Sequence, residues 1–405
     1  MTDHQPLLLC SRCSLLAHNF ANLAFYCFLP LIWLIRVGVL KLPWLSNLSV
    51  WTGAPIITLA NNCRAERRLG FRSVSIVRTT YYITDEFDWV LNRLVGGSRM
   101  LTFAFEYLMF LVICLSARQV HAYFDGGILS PRRRRQFNPL ELNAYRLLRI
   151  RLFVWTYGAD VRTRETTRRL GEPNCCSDCT QVGFACICDD TEGHSNFERV
   201  RSVATACFSM GDMIEYTPGS KNATFFWPID LEADRGRRYM PTFPDETSTA
   251  PLRVVHAPNH RELKGTRYLE AAVATLLEDG VDIELIMVER VSNDEALRIY
   301  RSADVIFDQC LIGFHGYFAL EAMALGKPVM CYIRKHDEYL LHPHECPIIN
   351  THRDTLADDL RSLIGRRCQL RKLGEQGRRY VERYYSQEAF ASRLRATYAD
   401  LGMIF

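Results

Sequence analysis

Gly313-Phe314-His315-Gly316-Tyr317-Phe318-Ala319-Leu320-Glu321-Ala322-Met323-Ala324-Leu325-Gly326-Lys327-Pro328-Val329 is the stretch on which the reading of this chain turns. Two glycines precede an apolar run that carries one acid and stops at Gly326 and Pro328. That order predicts a glycine loop opening a short helix, whose free N–H groups and positive dipole end suit a diphosphate. Glu321 falls further along the helix, where a carboxylate can accept hydrogen bonds from a ribose diol. Gly326 ends the helix, and 327–332 reads as the next buried strand. The bland alternative is a helix hairpin in which Glu321 only caps and solvates.

Two further landmarks lie upstream: Lys264-Gly265-Thr266 behind a strand, and Ala303-Asp304-Val305 ahead of another. With them, residues 251–390 resemble the nucleotide-sugar-binding domain of the retaining glycosyltransferases of family GT4. The resemblance implies an α/β protein of the GT-B fold, two facing Rossmann-like domains with a cleft between them. It implies that Lys264 binds donor phosphate and Glu321 the ribose, with Gly313 and Gly316 in the donor-binding loop. The family often has a glutamate where Gly313 stands and an arginine where Pro258 stands; Asn259, His260 or Arg261 are the neighbouring polar residues able to replace the latter. Beside the transferred sugar the family has a His-Gly-Ser-Asp-like segment, and here Tyr157 replaces the histidine while Gly158 and Asp160 remain. The implied chemistry retains anomeric configuration, with the donor phosphate helping to deprotonate the acceptor.

A chain of 405 residues with 48% hydrophobic content exceeds one ordinary core and fits two domains of roughly 150–200 residues plus extensions. We read 1–50 as a hydrophobic extension, 51–240 as a Rossmann-like acceptor domain with a Cys-rich insertion at 172–190, 250–385 as the nucleotide-sugar domain, and 386–405 as a helix crossing back. In the acceptor domain 55–59 and 73–77 read as strands and 62–69 as helix, an alternation that argues for a parallel sheet. His121 and Asp160 stand where strands run into glycine loops, the place where ligands bind in open α/β sheets. With Lys264 they form the expected catalytic set. The plainer readings are a backbone-satisfied histidine and a helix-capping aspartate. Ser292 and Glu295 have capping-box spacing ahead of a helix.

No Asp-x-Asp pair follows a strand, so catalysis is expected without a metal cofactor. Leaving-group charge then falls to Lys264, the helix start at Gly316 and Arg261. The net charge of +4 is small for this length, which argues against nucleic acid as partner. The expected partners are a nucleotide-sugar donor and a glycan or lipid-linked acceptor. The apolar run 23–40, interrupted by Pro30 and Arg36, reads as a helix lying at a membrane surface or packed on the enzyme, and 101–115 as a buried helix. Arg132-Arg133-Arg134-Arg135 reads as a solvated loop, or as a contact for acidic lipid headgroups or a polyanionic acceptor.

Fifteen cysteines, an odd number in a long chain without a convincing cleavable signal, point to a reducing cytoplasm, with the protein peripheral at the inner membrane face. Cys207, Cys310 and Cys331 have apolar neighbours and read as core residues. Cys176, Cys179, Cys186 and Cys188, with Cys175 as alternative first ligand, have the spacing of a structural zinc site. A disulfide or redox pair, or an unliganded loop, are the other readings, and Cys10 with Cys13 is a weaker signal. Two further functions stay open: an inactive scaffold or sugar-nucleotide sensor of the same fold, and a zinc-stabilised interaction protein.

Overall fold

The computed structural model describes residues 11–42, 48–81, 83–131 and 135–403, with side chains from residue 18 onward. The expectations for Cys10, for the Cys13 side chain and for Arg132, Arg133 and Arg134 fall outside that range. Short apolar strands alternate with helices, and every strand pairing is parallel. Such strands are buried on both faces and need helical crossovers. β1 (Leu48–Thr52), β2 (Arg72–Val77), β3 (Trp89–Val90), β4 (Gln119–Tyr123), β5 (Arg151–Trp155) and β6 (Ala206–Phe208) form a six-stranded sheet in the order β3-β2-β1-β4-β5-β6. β7 (Leu252–His256), β8 (Ile283–Met287), β9 (Val305–Gln309), β10 (Val329–Cys331) and β11 (Ile349–Asn350) form a five-stranded sheet ordered β11-β10-β9-β7-β8. The order reverses direction between β1 and β4 and between β7 and β9, the switch points beside which open α/β sheets bind ligands.

The chain divides into two compact units, one of 1–81, 85–160 and 194–208, the other of 82–84, 161–193 and 209–405. This differs from the sequence reading in two places. The Cys-rich segment belongs to the second unit, because Cys175, Cys176 and Cys186 are buried in the same apolar core as Leu252, Leu269 and Phe307. Residues 209–240 also join the second unit, where Ile229 N–H donates to Tyr385 O at 2.7 Å. The expected strand at 55–59 is instead the start of the helix Ile57–Arg67. Leu48–Thr52 fills the strand position, and a short apolar run cannot by periodicity alone be told from a buried helix segment.

In the first unit the helix Ser11–Val39 runs parallel to the helix Arg99–Ser116. Asn22, Phe25, Leu29, Ile32 and Arg36, spaced three and four apart, form its buried stripe. The rings of Phe25 and Phe110 lie 4.6 Å apart, Tyr107 OH donates to Asn22 at 2.8 Å, and Arg36 donates to the terminal carbonyls of Cys114 and Ala117 at 2.9 and 2.7 Å. Each of Phe25, Leu29 and Ile32 contributes about 1.5–3 kcal/mol by the area removed from water. The helix Arg99–Ser116 is buried on one face only, since Met100, Leu101, Leu108 and Val112 are exposed.

Two helices end in the same Schellman arrangement with different residues at its left-handed position. After Tyr317–Ala324 that residue is Gly326, φ 75°, with Lys327 N–H on Ala322 O at 2.9 Å. After Pro139–Leu147 it is Arg149, φ 53°, with Ile150 N–H on Tyr145 O at 2.8 Å. Glycine is the ordinary occupant; an arginine there costs about 1 kcal/mol.

Candidate functional site

In the second unit the chain leaves β7, makes the short helix Arg261–Lys264 and turns at Gly265, where an added Cβ would lie 2.4 Å from Cys310 Sγ. The backbone at Gly265 therefore packs directly on the end of β9, with Cys310 N–H donating to Lys264 O at 3.2 Å. This close approach sets Lys264 Nζ 2.5 Å from Oδ1 of Asp308, a fully buried residue of β9. The other oxygen, Oδ2, accepts the N–H of Gly316 at 2.5 Å. Gly316 is the N-cap residue of the helix Tyr317–Ala324 and has no side chain to satisfy the free donors of that helix end. Burial pushes the Asp308 pKa up, but Lys264 and the Gly316 N–H outweigh it and hold the carboxylate below its ordinary range. A partly buried cation, a buried carboxylate and a helix start thus meet at one strand end.

Glu321, on the inner side of that helix, is buried and accepts Asn293 Nδ2 at 2.8 Å and Tyr239 OH at 3.2 Å. Burial raises its pKa to about 7. Gly313 has φ 93°, and a Cβ there would lie 2.6 Å from the guanidinium of Arg334. That guanidinium donates to Ile312 O at 3.3 Å and Pro173 O at 3.0 Å, so an anchored arginine fills the place beside Gly313. His315 is buried between Phe314 and Trp227; its Nδ1 donates to Gly316 O at 3.2 Å, its Nε2 has no hydrogen-bond partner among the described residues, and burial lowers its pKa to about 4.

At the carboxyl end of the first sheet Asp160 is also buried, but its partners are backbone. It accepts Tyr157 N–H and Gly158 N–H, both at 2.9 Å, and Phe124 N–H at 3.4 Å. Burial, with Asp125 nearby, raises its pKa to about 7. Tyr157 OH donates to Asp125 at 2.6 Å. His121 does not join this group. It lies mid-sheet with its ring 3.9 Å from Trp51 and nearly parallel to it. Trp155 Nε1 donates to its Nδ1 at 3.1 Å, and its Nε2 lies 3.2 Å from Glu66. The expected polar contact at His121 is therefore corrected to a satisfied core histidine, because Gln119, His121 and Tyr123 share the strand face that the aromatic residues cover.

The sequence matches no family model and no curated protein. Solved structures do match. Sucrose-phosphate synthase from Thermosynechococcus elongatus is similar over 88% of this chain and 98% of its own, at 12% identity and TM-score 0.55. HepE of Anabaena, solved in complex with UDP-glucose, is similar over 87% and 99%, at 11% identity and TM-score 0.55. A glycosyltransferase from Rickettsia africae is similar over 87% and 97%, at 10% identity and TM-score 0.51. The fold is of the GT-B type.

Within this GT-B chain the expected site residues part company. Lys264, Gly313, Gly316 and Glu321 gather around the helix Tyr317–Ala324, and Asp308 and Arg334 join them unforeseen. The signal for Asp308 was a lone acid at the end of the apolar strand Val305-Ile306-Phe307. Arg261 is turned to Glu270 and to Glu289, the latter at 3.0 Å, and Asn259 is exposed. Among the described residues no three His, Cys, Asp or Glu side chains are disposed to hold a metal ion. Cys176, Cys179, Cys186 and Cys188 accordingly do not form the tetrahedral set that their spacing suggested. Hydrogen bonding from the Cys175 thiol lowers the Cys176 pKa to about 6, and Cys188 Sγ accepts Gly183 N–H at 3.1 Å.

Proposed function

We propose that the chain is a glycosyltransferase that moves a sugar from a nucleotide-sugar donor to a glycan or lipid-linked acceptor. The observation that carries this reading is Lys264 beside the bare helix start at Gly316, at the switch-point end of the second sheet. An incoming diphosphate exchanges places with the Asp308 carboxylate as partner of Lys264. Charge that grows on the leaving oxygen is then met by a cation already in place and by N–H groups that need no reorganisation. Asp160, with a pKa near neutrality, is suited to hold an acceptor or sugar hydroxyl. In this reading transfer retains configuration, needs no catalytic metal and takes place in the cytoplasm. HepE, of the same fold, was solved with UDP-glucose bound, which supports a nucleotide-sugar donor.

The test is calorimetry against UDP-, GDP-, ADP- and dTDP-sugars, followed by mass spectrometry of glycan and lipid acceptors incubated with any donor that binds. Saturable binding of one nucleotide class and a mass gain of one sugar are expected. A second reading, a sugar-nucleotide sensor without turnover, is favoured by one observation: Glu321 is enclosed by Asn293 and Tyr239, and Arg334 fills the place beside Gly313. Donor binding with neither transfer nor hydrolysis would select it.

A further inference from the structure

The helix Ser11–Val39 is apolar on both sides. Its inner stripe is packed on the helix Arg99–Ser116, and its outer stripe is not covered by the first unit: Phe20, Leu23, Leu31 and Leu34 are each more than half exposed. Leu101, Leu108 and Val112 of the second helix are exposed as well. Contiguous surfaces of this kind mark interaction sites. The polar groups of the inner stripe, Asn22 and Arg36, are bonded to Tyr107, Cys114 and Ala117, which holds the helix along the unit's surface.

Where both helices end, a pocket of about 350 Å³ opens, lined by Trp33, Arg36, Arg118, Leu148, Arg149 and Arg151 among others. Arg36 and Arg118 donate to helix-end carbonyls, Arg118 to Leu40 O at 3.3 Å. Among the described residues none of Arg118, Arg149 and Arg151 has a carboxylate partner. Arg149 moreover stands in the left-handed position that favours glycine. An apolar stripe that ends in clustered guanidinium groups without carboxylate partners, beside a tryptophan, is complementary to an anionic lipid surface: acyl chains along the stripe, a headgroup phosphate in the pocket.

We infer that this face docks on an anionic phospholipid bilayer, with the Ser11–Val39 helix lying in the interface and the arginine pocket taking a lipid phosphate. No part of this pocket takes part in the transfer chemistry. The test is cosedimentation of the full chain with vesicles of phosphatidylglycerol and phosphatidylcholine against vesicles of phosphatidylcholine alone. The parent should prefer the anionic vesicles and lose them as salt rises. Arg149→Gly with Arg151→Ser should weaken that binding about thirtyfold, roughly fivefold for each charge removed near the surface. Because glycine suits position 149, this variant should melt no lower than the parent, so loss of binding cannot be laid to misfolding. Leu31→Ser with Leu34→Ser should release the chain from both vesicle types. Equal binding by parent and arginine variant would overturn the proposal. So would arginine-dependent stabilisation by inorganic phosphate without vesicle binding. A lipid-free dimer that Leu31→Ser disperses would overturn it too, assigning the face to a second copy.

Discussion

At the carboxyl end of β9, Asp308 is a carboxylate kept charged by a lysine 2.5 Å away, whereas at the carboxyl end of β5, Asp160 is a carboxylate held by backbone N–H groups and raised to about 7. Both sit at strand ends of parallel sheets. The difference lies in what each loop supplies. The second sheet receives a cation from the helix Arg261–Lys264 and a helix start from Gly316, and so offers positive potential to an anion. The first supplies the turn Tyr157-Gly158 and a second acid, Asp125, with the Arg135 guanidinium donating to Ala159 O at 2.9 Å, so its two carboxyl groups are held among backbone donors and one neighbouring cation. Equivalent places in two sheets thus differ in electrostatic character.

The contrast is tested most severely at Lys264. Lys264→Ala leaves Asp308 buried and unpaired, which should cost about 3–5 kcal/mol in urea unfolding and abolish donor binding in calorimetry. Adding Asp308→Asn should restore most of the stability and none of the donor affinity. If Lys264→Ala alone is as stable as the parent, the second strand end is no more charged than the first, and the comparison fails. His121→Ala should lower stability by about 2–4 kcal/mol through lost packing and orphaned partners, while turnover per folded molecule stays unchanged. A selective fall in turnover would return His121 to the chemistry.

Asp160 sharpens the comparison through pH. Its folded pKa, about 7, lies above the ordinary 3.8, so between those values the folded state binds more protons than the unfolded one. Stability should therefore fall as pH rises through that window, at most by about 1.4 kcal/mol per pH unit from this group. Asp160→Asn should flatten that part of the profile in thermal melts at a series of pH values. The smallest effect belongs to Arg261, whose partners Glu270 and Glu289 are both exposed. Arg261→Ala should change stability by less than about 1 kcal/mol and leave donor affinity unaltered.

What was legible in the sequence was what glycine and proline punctuate. The loop from Gly313 to Gly316, the helix that follows and its stop at Gly326 stand where their residues require. Ser292 caps its helix by accepting Glu295 N–H at 3.3 Å, as the spacing implied. Side-chain direction was less accessible. A histidine near a strand end reads as a ligand until the neighbouring strands are known, and Trp51 and Trp155, which cover His121, are distant in sequence. The cysteine spacing satisfied a metal template, yet apolar burial of Cys175, Cys176 and Cys186 decided where those thiols went. Asp308 was passed over because an acid after an apolar run marks a strand's end as readily as a site.

Gly313 and Arg334 form a locked pair. The left-handed backbone at 313 disfavours any side chain there, and the guanidinium 2.6 Å from the position of its absent Cβ would have to shift to admit one. A glutamate introduced at 313 alone would meet both obstacles at once, and replacing Arg334 first would open space while freeing the carbonyls of Ile312 and Pro173. Admitting a side chain at 313 therefore takes two coordinated changes, one in the backbone and one in the anchoring of Arg334, and the arginine-filled form of the site resists stepwise replacement.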